Sequence, residues 1–234
     1  MNDGQFARWV KLHKDIRSGS FPKITQKVEG LFVGHVPDGY KTEGKRILYV
    51  GKATDGAFEV PLSSTKSSYS RLVTIASDCF YCKPAAGFWS FAANLSRTLN
   101  RNCEELRNVA WSNLCKISAS EGVPSNDLIE AQFDLACETL LTEIAECEPS
   151  VVVFVTHHFG EEILNKVVDT VNSLSWQRSE NDVSRSVDDV WWKNGGQGSP
   201  AFLWMRHPQF APSTLKSYAI DKVQTLATQC LLSA

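Results

Sequence analysis

The residues best placed to do chemistry in this chain stand at the ends of short apolar runs. Ile47-Leu-Tyr-Val50 stops at Gly51, and the polar loop Gly51-Lys52-Ala53-Thr54-Asp55-Gly56 follows between two glycines. Glycine lets the backbone turn sharply or approach a ligand closely, so this loop is a candidate floor and lip of a binding site. Three further runs end in the same manner: Asn108-Val-Ala-Trp in Ser112-Asn113, Val151-Val-Val-Phe-Val155 in Thr156-His157, and Ala201-Phe-Leu-Trp-Met205 in Arg206-His207-Pro208-Gln209-Phe210. Two other groups have metal-ligand character. Cys79-x-x-Cys82 lacks a second pair of that spacing, and the adjacent His157 and His158 sit on a turn where neighbouring side chains diverge. No metal is expected at either.

The elements that must position these residues follow from periodicity. Gln5 to Ile16 reads as a short helix, and Lys23 to Glu43 as a loop with at most a short extended piece. Residues 51–70 are rich in Ser and Thr and read as a long loop, followed by a helical turn over Leu72–Ala76. Phe88, Phe91, Leu95 and Leu99 align on one helix, and Leu128–Glu146 forms a long amphipathic one capped by Asn126 or Asp127. The β-branched run Val151–Val155 predicts an interior parallel strand covered on both faces. Glu161–Ser173 is helical, residues 174–200 are irregular despite Trp176, Trp191 and Trp192, and Ser213 caps a last helix. The strand–helix alternation predicts an α/β fold: a three-layer α/β/α sandwich around a central, mainly parallel four-stranded sheet. One domain spans 1–234, with 1–44 as an N-terminal helix and loop extension and 45–234 as the core.

Composition narrows the class. The chain has 234 residues, 43% hydrophobic and 21% charged, with a formal net charge of −2. That is ordinary for a globular domain with a full core, and it provides no global positive field, although a local basic groove remains compatible with it. No apolar run approaches the roughly 20 residues needed to span a bilayer. Charged residues throughout positions 1–20 leave no signal-peptide core. With seven cysteines, an odd number, reduced thiols and a cytoplasmic location are expected.

Taken in order, the four strand ends resemble the motifs of the uracil-DNA glycosylase superfamily. Trp111-Ser-Asn-Leu-Cys-Lys116 looks like the Thr-Asn-x-Val-Lys stretch of its iron–sulfur branch. Glu148-Pro-Ser-Val-Val-Val-Phe-Val-Thr156 is similar to that branch's Arg-Pro-x-Val-Val-Val-x-Leu-Gly strand, and Arg206-His-Pro-Gln209 to the His-Pro signature. The resemblance covers roughly residues 45–230. It implies a DNA-binding hydrolase of base excision that flips a uracil or other damaged base into a pocket and cleaves its N-glycosidic bond. Under it, Asn113 reads the base edge, Phe80 or Phe88 stacks on the base, His207 donates to the departing base, and Gly51 and Lys52 contact the substrate. Asp55 is the loop's carboxylate, while Arg206, Gln209 and Phe210 face DNA, with Phe210 as an apolar wedge.

The chain departs from that pattern at the first motif. Lys52 and Ala53 stand where active members carry Asp, Glu or Asn, so the only carboxylate, Asp55, comes late. Lysine has the wrong sign to stabilise a cationic sugar and suits a phosphate instead. The branch's full cysteine set is missing as well, so no cluster and no other cofactor is expected. Two alternatives stay open. One is a catalytically silent nucleic-acid-binding protein on the same scaffold. The other is an α/β enzyme acting on a phosphorylated small molecule, with Gly51–Gly56 as its anion loop.

Overall fold

In the computed structural model, the described residues are 1–54, 66–82, 87–101, 106–178, 190–196 and 199–232. In chain order they form α1 (Asp3–Arg17), β1 (Val28–Leu31), β2 (Ile47–Gly51), α2 (Lys66–Cys82), α3 (Gly87–Leu99), β3 (Val109–Asn113), β4 (Ile117–Ala119) and α4 (Asn126–Cys147). There follow β5 (Val151–Phe154), α5 (Glu161–Val171), β6 (Gln177–Arg178), β7 (Val190–Lys193), β8 (Ala201–Met205) and α6 (Ser213–Leu232).

The main sheet has the order β3-β2-β5-β8-β7-β6. Its first four strands are parallel, in the register Val109↔Ile47↔Val151↔Ala201. Every residue of those four strands is buried, as continuous apolar runs covered on both faces require. Each fully buried Val or Phe there contributes roughly 1.5–3 kcal/mol of transfer free energy.

Alternation along the strands assigns the helices to faces. Tyr49 packs on Phe88 and Phe91 of α3, and Trp192, in register with Leu203, meets Tyr218 of α6. On the opposite face Ser112 bonds to Glu143 of α4, and Lys193 to Asp169 of α5. Helices therefore cover both faces of the sheet. All four parallel strands deliver their carboxyl ends to one rim, where Gly51, Asn113, His157 and Arg206 emerge.

Several expectations change. Among the described residues the sheet has six strands rather than four, because the segment expected to be irregular supplies β7 and β6, both antiparallel. The turn expected at Leu72–Ala76 is part of the 17-residue helix α2; Leu72, Ala76 and Phe80 form its buried stripe. Ser125, not Asn126 or Asp127, caps α4 by accepting from the Leu128 amide. The N-terminal 44 residues are tied to the core: β1 pairs with β4, and α1 docks on α4 through Trp9 Nε1 to Thr139 Oγ1 at 2.9 Å and Gln5 Nε2 to Thr142 Oγ1 at 2.8 Å. No described helix is long and apolar enough to cross a membrane.

Candidate functional site

The last residues of β2 and β3, Gly51 and Asn113, face each other in register. Beyond them the two loops stay stitched, since Leu114 N donates to Gly51 O and Cys115 N to Lys52 O, both at 2.9 Å. A Cβ on Gly51 would lie 2.5 Å from Asn113 Oδ1 and 3.2 Å from the Phe88 ring. Only glycine leaves room for the amide to lie over the end of β2. Asn113 is 2% exposed, and its Nδ2 has no hydrogen-bond partner among the described residues. A buried amide donor left unmatched costs about 1–3 kcal/mol.

Beside this amide, Phe88 stacks on His207 with ring centroids 5.6 Å apart and planes 19° from parallel. Phe88 is the second residue of α3, and its carbonyl accepts from Tyr49 Oη at 3.1 Å. The preceding Gly87 lets α3 start directly against the His207 loop; a Cβ there would meet Gln209 Cα at 2.9 Å. Two residues far apart in sequence are thus pressed into one wall.

His207 is held neutral. Burial, and then the charge of Lys52, push its pKa down to about 4. Its Nδ1 accepts from the Gln209 backbone amide at 3.4 Å, which leaves the ring proton on Nε2. Lys52 is itself half-buried, which lowers its pKa, and its Nζ lies 5.9 Å over the Phe159 ring. The rim therefore combines an unmatched amide, an aromatic face, a neutral imidazole donor and a cation.

The other expected residues fall as follows. Phe80 is fully buried, against His35 and Trp89, so it offers no open face to a ligand, and Phe88 is the ring that stands with His207. Phe210 is 70% exposed, close to His207, and Gln209 is exposed, while Arg206 is half-buried. Asp55 lies outside the described residues. Thr54, just before it, is buried and hydrogen-bonded to Ser118. Among the described residues no group of three or more His, Cys, Asp or Glu side chains is arranged to hold a metal. Burial pushes the Cys115 and Cys147 thiols up to about 12 and Cys137 to about 11, so all three stay protonated.

Two features went unread in the sequence. Lys116, with no exposed surface, donates to Ser112 Oγ at 2.7 Å and to Glu143 at 2.8 and 3.0 Å. The four-residue spacing of Ser112 and Lys116 across a turn was the available signal. The second is an aromatic group, His158, Trp191 and Trp204, at the same rim. A cleft of about 510 Å³ also opens on the α4 side, lined by Tyr69, Glu143, Glu146 and Cys147 among others.

A scan against models of known protein families gives no match, and a search of curated proteins gives none.

Proposed function

We propose that this protein takes a base flipped out of DNA into the space beside Asn113, Phe88 and His207 and hydrolyses its N-glycosidic bond, as uracil-DNA glycosylases do. The observation that carries this reading is the buried Asn113 amide with its unmatched Nδ2 beside the Phe88–His207 stack. A pyrimidine presents a carbonyl oxygen that such a donor can bond, an N–H that Oδ1 can accept, and a flat face for Phe88.

In the reaction the bond from C1′ to the base nitrogen breaks, its electron pair leaves with the base, and water supplies the new C1′–O bond. Negative charge then collects on a base oxygen. Neutral His207 donates to that oxygen through Nε2–H, and Lys52, close enough to depress the His207 pKa, adds positive charge on the same side. Lysine in the first motif is thereby suited to the leaving group rather than to the sugar. Asp55 is the loop carboxylate assigned to the water, Gly51 supplies clearance, and Arg206, Gln209 and Phe210 face the DNA.

One observation favours a second reading, recognition without cleavage: Lys52 places a cation where the resemblance calls for a carboxylate.

The deciding experiment incubates the protein with single- and double-stranded oligonucleotides containing uracil and reads abasic sites by alkaline cleavage. Product that disappears with Asn113→Ala supports the enzyme, and Asp55→Ala tests its carboxylate. Binding without product supports recognition alone. Neither binding nor product rejects both.

A further inference from the structure

The two fully buried lysines of this molecule are both paired with carboxylates. Lys116 Nζ lies 2.8 Å from Glu143, and Lys193 Nζ 2.7 Å from Asp169. Half-buried Lys52 differs. Its Nζ lies 5.9 Å over the Phe159 ring, and among the described residues no carboxylate stands within ion-pair distance of it. A ring at that range offers an ammonium about 0.5–1 kcal/mol and no hydrogen-bond acceptor. Burial lowers the Lys52 pKa, so a larger share of its amine is neutral than in an exposed lysine.

The backbone that carries Lys52 is fixed at the rim. The residue directly follows Gly51, which pairs in register with Asn113, and its carbonyl accepts from Cys115 N at 2.9 Å. The Asn113 amide lies over Gly51, so Lys52 is the first side chain that the loop presents beyond the amide. Its charge also reaches His207, the donor assigned to the departing base. A base held by Asn113 leaves its sugar at the mouth of this site. Once the base has gone, ring opening of that sugar exposes an aldehyde at C1′. A desolvated lysine amine is the side chain suited to attack such a carbonyl.

We propose that Lys52 is the nucleophile of a second activity, cleavage of the DNA strand at the abasic site that base removal creates. The inference rests on the base-pocket reading above. The ammonium that steadies the departing base gives one proton to water and becomes a free amine. Nζ then attacks C1′, a C–N bond forms, and the aldehyde oxygen leaves as water with both amine protons. The resulting imine takes up a proton and draws electrons from C2′. The C2′ proton passes to water, the C3′–O bond breaks, and its electron pair leaves with the 3′ phosphate. Water finally hydrolyses the imine and restores the amine, so neither an oxidant nor a reductant is needed.

The test mixes the protein with single-stranded DNA carrying a preformed abasic site, in the presence of borohydride. Borohydride reduces an imine to a stable amine and so joins protein to DNA. Wild type should give this adduct, and peptide mass spectrometry should place it on Lys52. Without borohydride the same strand should be cut without alkali. Lys52→Ala and Lys52→Arg should each lose adduct and cleavage, although Lys52→Arg keeps the positive charge and should still bind the strand. A tetrahydrofuran analogue, which has no aldehyde, should give no adduct. Adduct on another lysine or on the amino terminus overturns the proposal, as does adduct that survives Lys52→Arg. A parallel strand containing uracil separates the two readings. Abasic product from uracil without adduct rejects the lysine nucleophile and keeps the base pocket. Adduct on Lys52 from the abasic strand, with no product from uracil, rejects base removal and keeps the nucleophile. Neither adduct nor product rejects both.

Discussion

Ser112 and Asn113 are neighbours on β3, both buried and both polar, yet their surroundings are opposite. Ser112 points to the α4 side, where its hydroxyl donates to Glu143 Oε2 at 2.6 Å and accepts from Lys116. Gln132 completes that side by accepting from the backbone amides of Lys116 and Ile117, each at 3.1 Å, and donating to the Ile117 and Leu128 carbonyls. Asn113 points to the α3 side and leaves a donor unmatched over a glycine. A buried polar cluster that serves the fold is closed, because every open valence subtracts from stability. In the proposed reading, the open one is left for the base. The closed cluster fixes the turn after β3, and the open amide one residue earlier is what that turn holds in position.

The contrast can be broken from either side. The largest effect is expected from the closed cluster: Lys116→Ala strands Glu143 in the interior and should cost about 3–5 kcal/mol in urea denaturation. The double variant Lys116→Met with Glu143→Leu should recover most of that, because it removes both charges together. A loss below about 1 kcal/mol for the single variant would mean that the cluster does not hold the strand end. Asn113→Ala should do the reverse. Its melting temperature should stay level or rise, since the unmatched donor goes, while base excision falls about 10²- to 10³-fold, the usual effect of removing one donor from a reacting site.

Gly51→Ala sharpens the contrast by attacking the clearance rather than the amide. The new methyl group meets Asn113 and Phe88 and should cost about 1–3 kcal/mol of stability, with weaker base binding. A pH-dependent effect belongs to His207. With a folded pKa of about 4 against the ordinary 6.5, the native state binds its proton later than the unfolded chain does. Its contribution is level above pH 6.5 and falls as pH drops from 6.5 towards 4. His207→Asn should therefore lose less stability than wild type between pH 7 and pH 4.5, read from urea midpoints at both values.

Much of this was legible in the sequence. The β-branched runs at Ile47 and Val151 announced interior strands, and the polar residues that end them do gather on one rim. Trp191 and Trp192 stood out, but the strand they belong to went unread because a short, largely buried strand set among charged residues shows no alternation. Helix α2 was under-read because its Ser-rich first turn has little helix propensity, although Leu72, Ala76 and Phe80 keep a four-residue period. The Phe88–His207 stack joins residues more than a hundred positions apart and depends on Gly87 admitting the His207 loop. No local pattern carries that contact. The unmatched state of Asn113 is a property of everything around it and is visible only once the chain has folded.

The most direct test of the account is the side-chain amide signal of Asn113 in a ¹⁵N–¹H spectrum, assigned by its loss in Asn113→Ala. The probe is a single-stranded nine-nucleotide DNA with a central 2′-fluoro-arabino-uridine, which resists cleavage. The account predicts a downfield shift of one Nδ2 proton as the base oxygen takes the open donor. The same DNA with a central abasic analogue should leave the signal unmoved. An Asn113 amide that stays in place at saturating uridine-containing DNA, or that responds equally to the abasic strand, contradicts the claim that this amide reads a base.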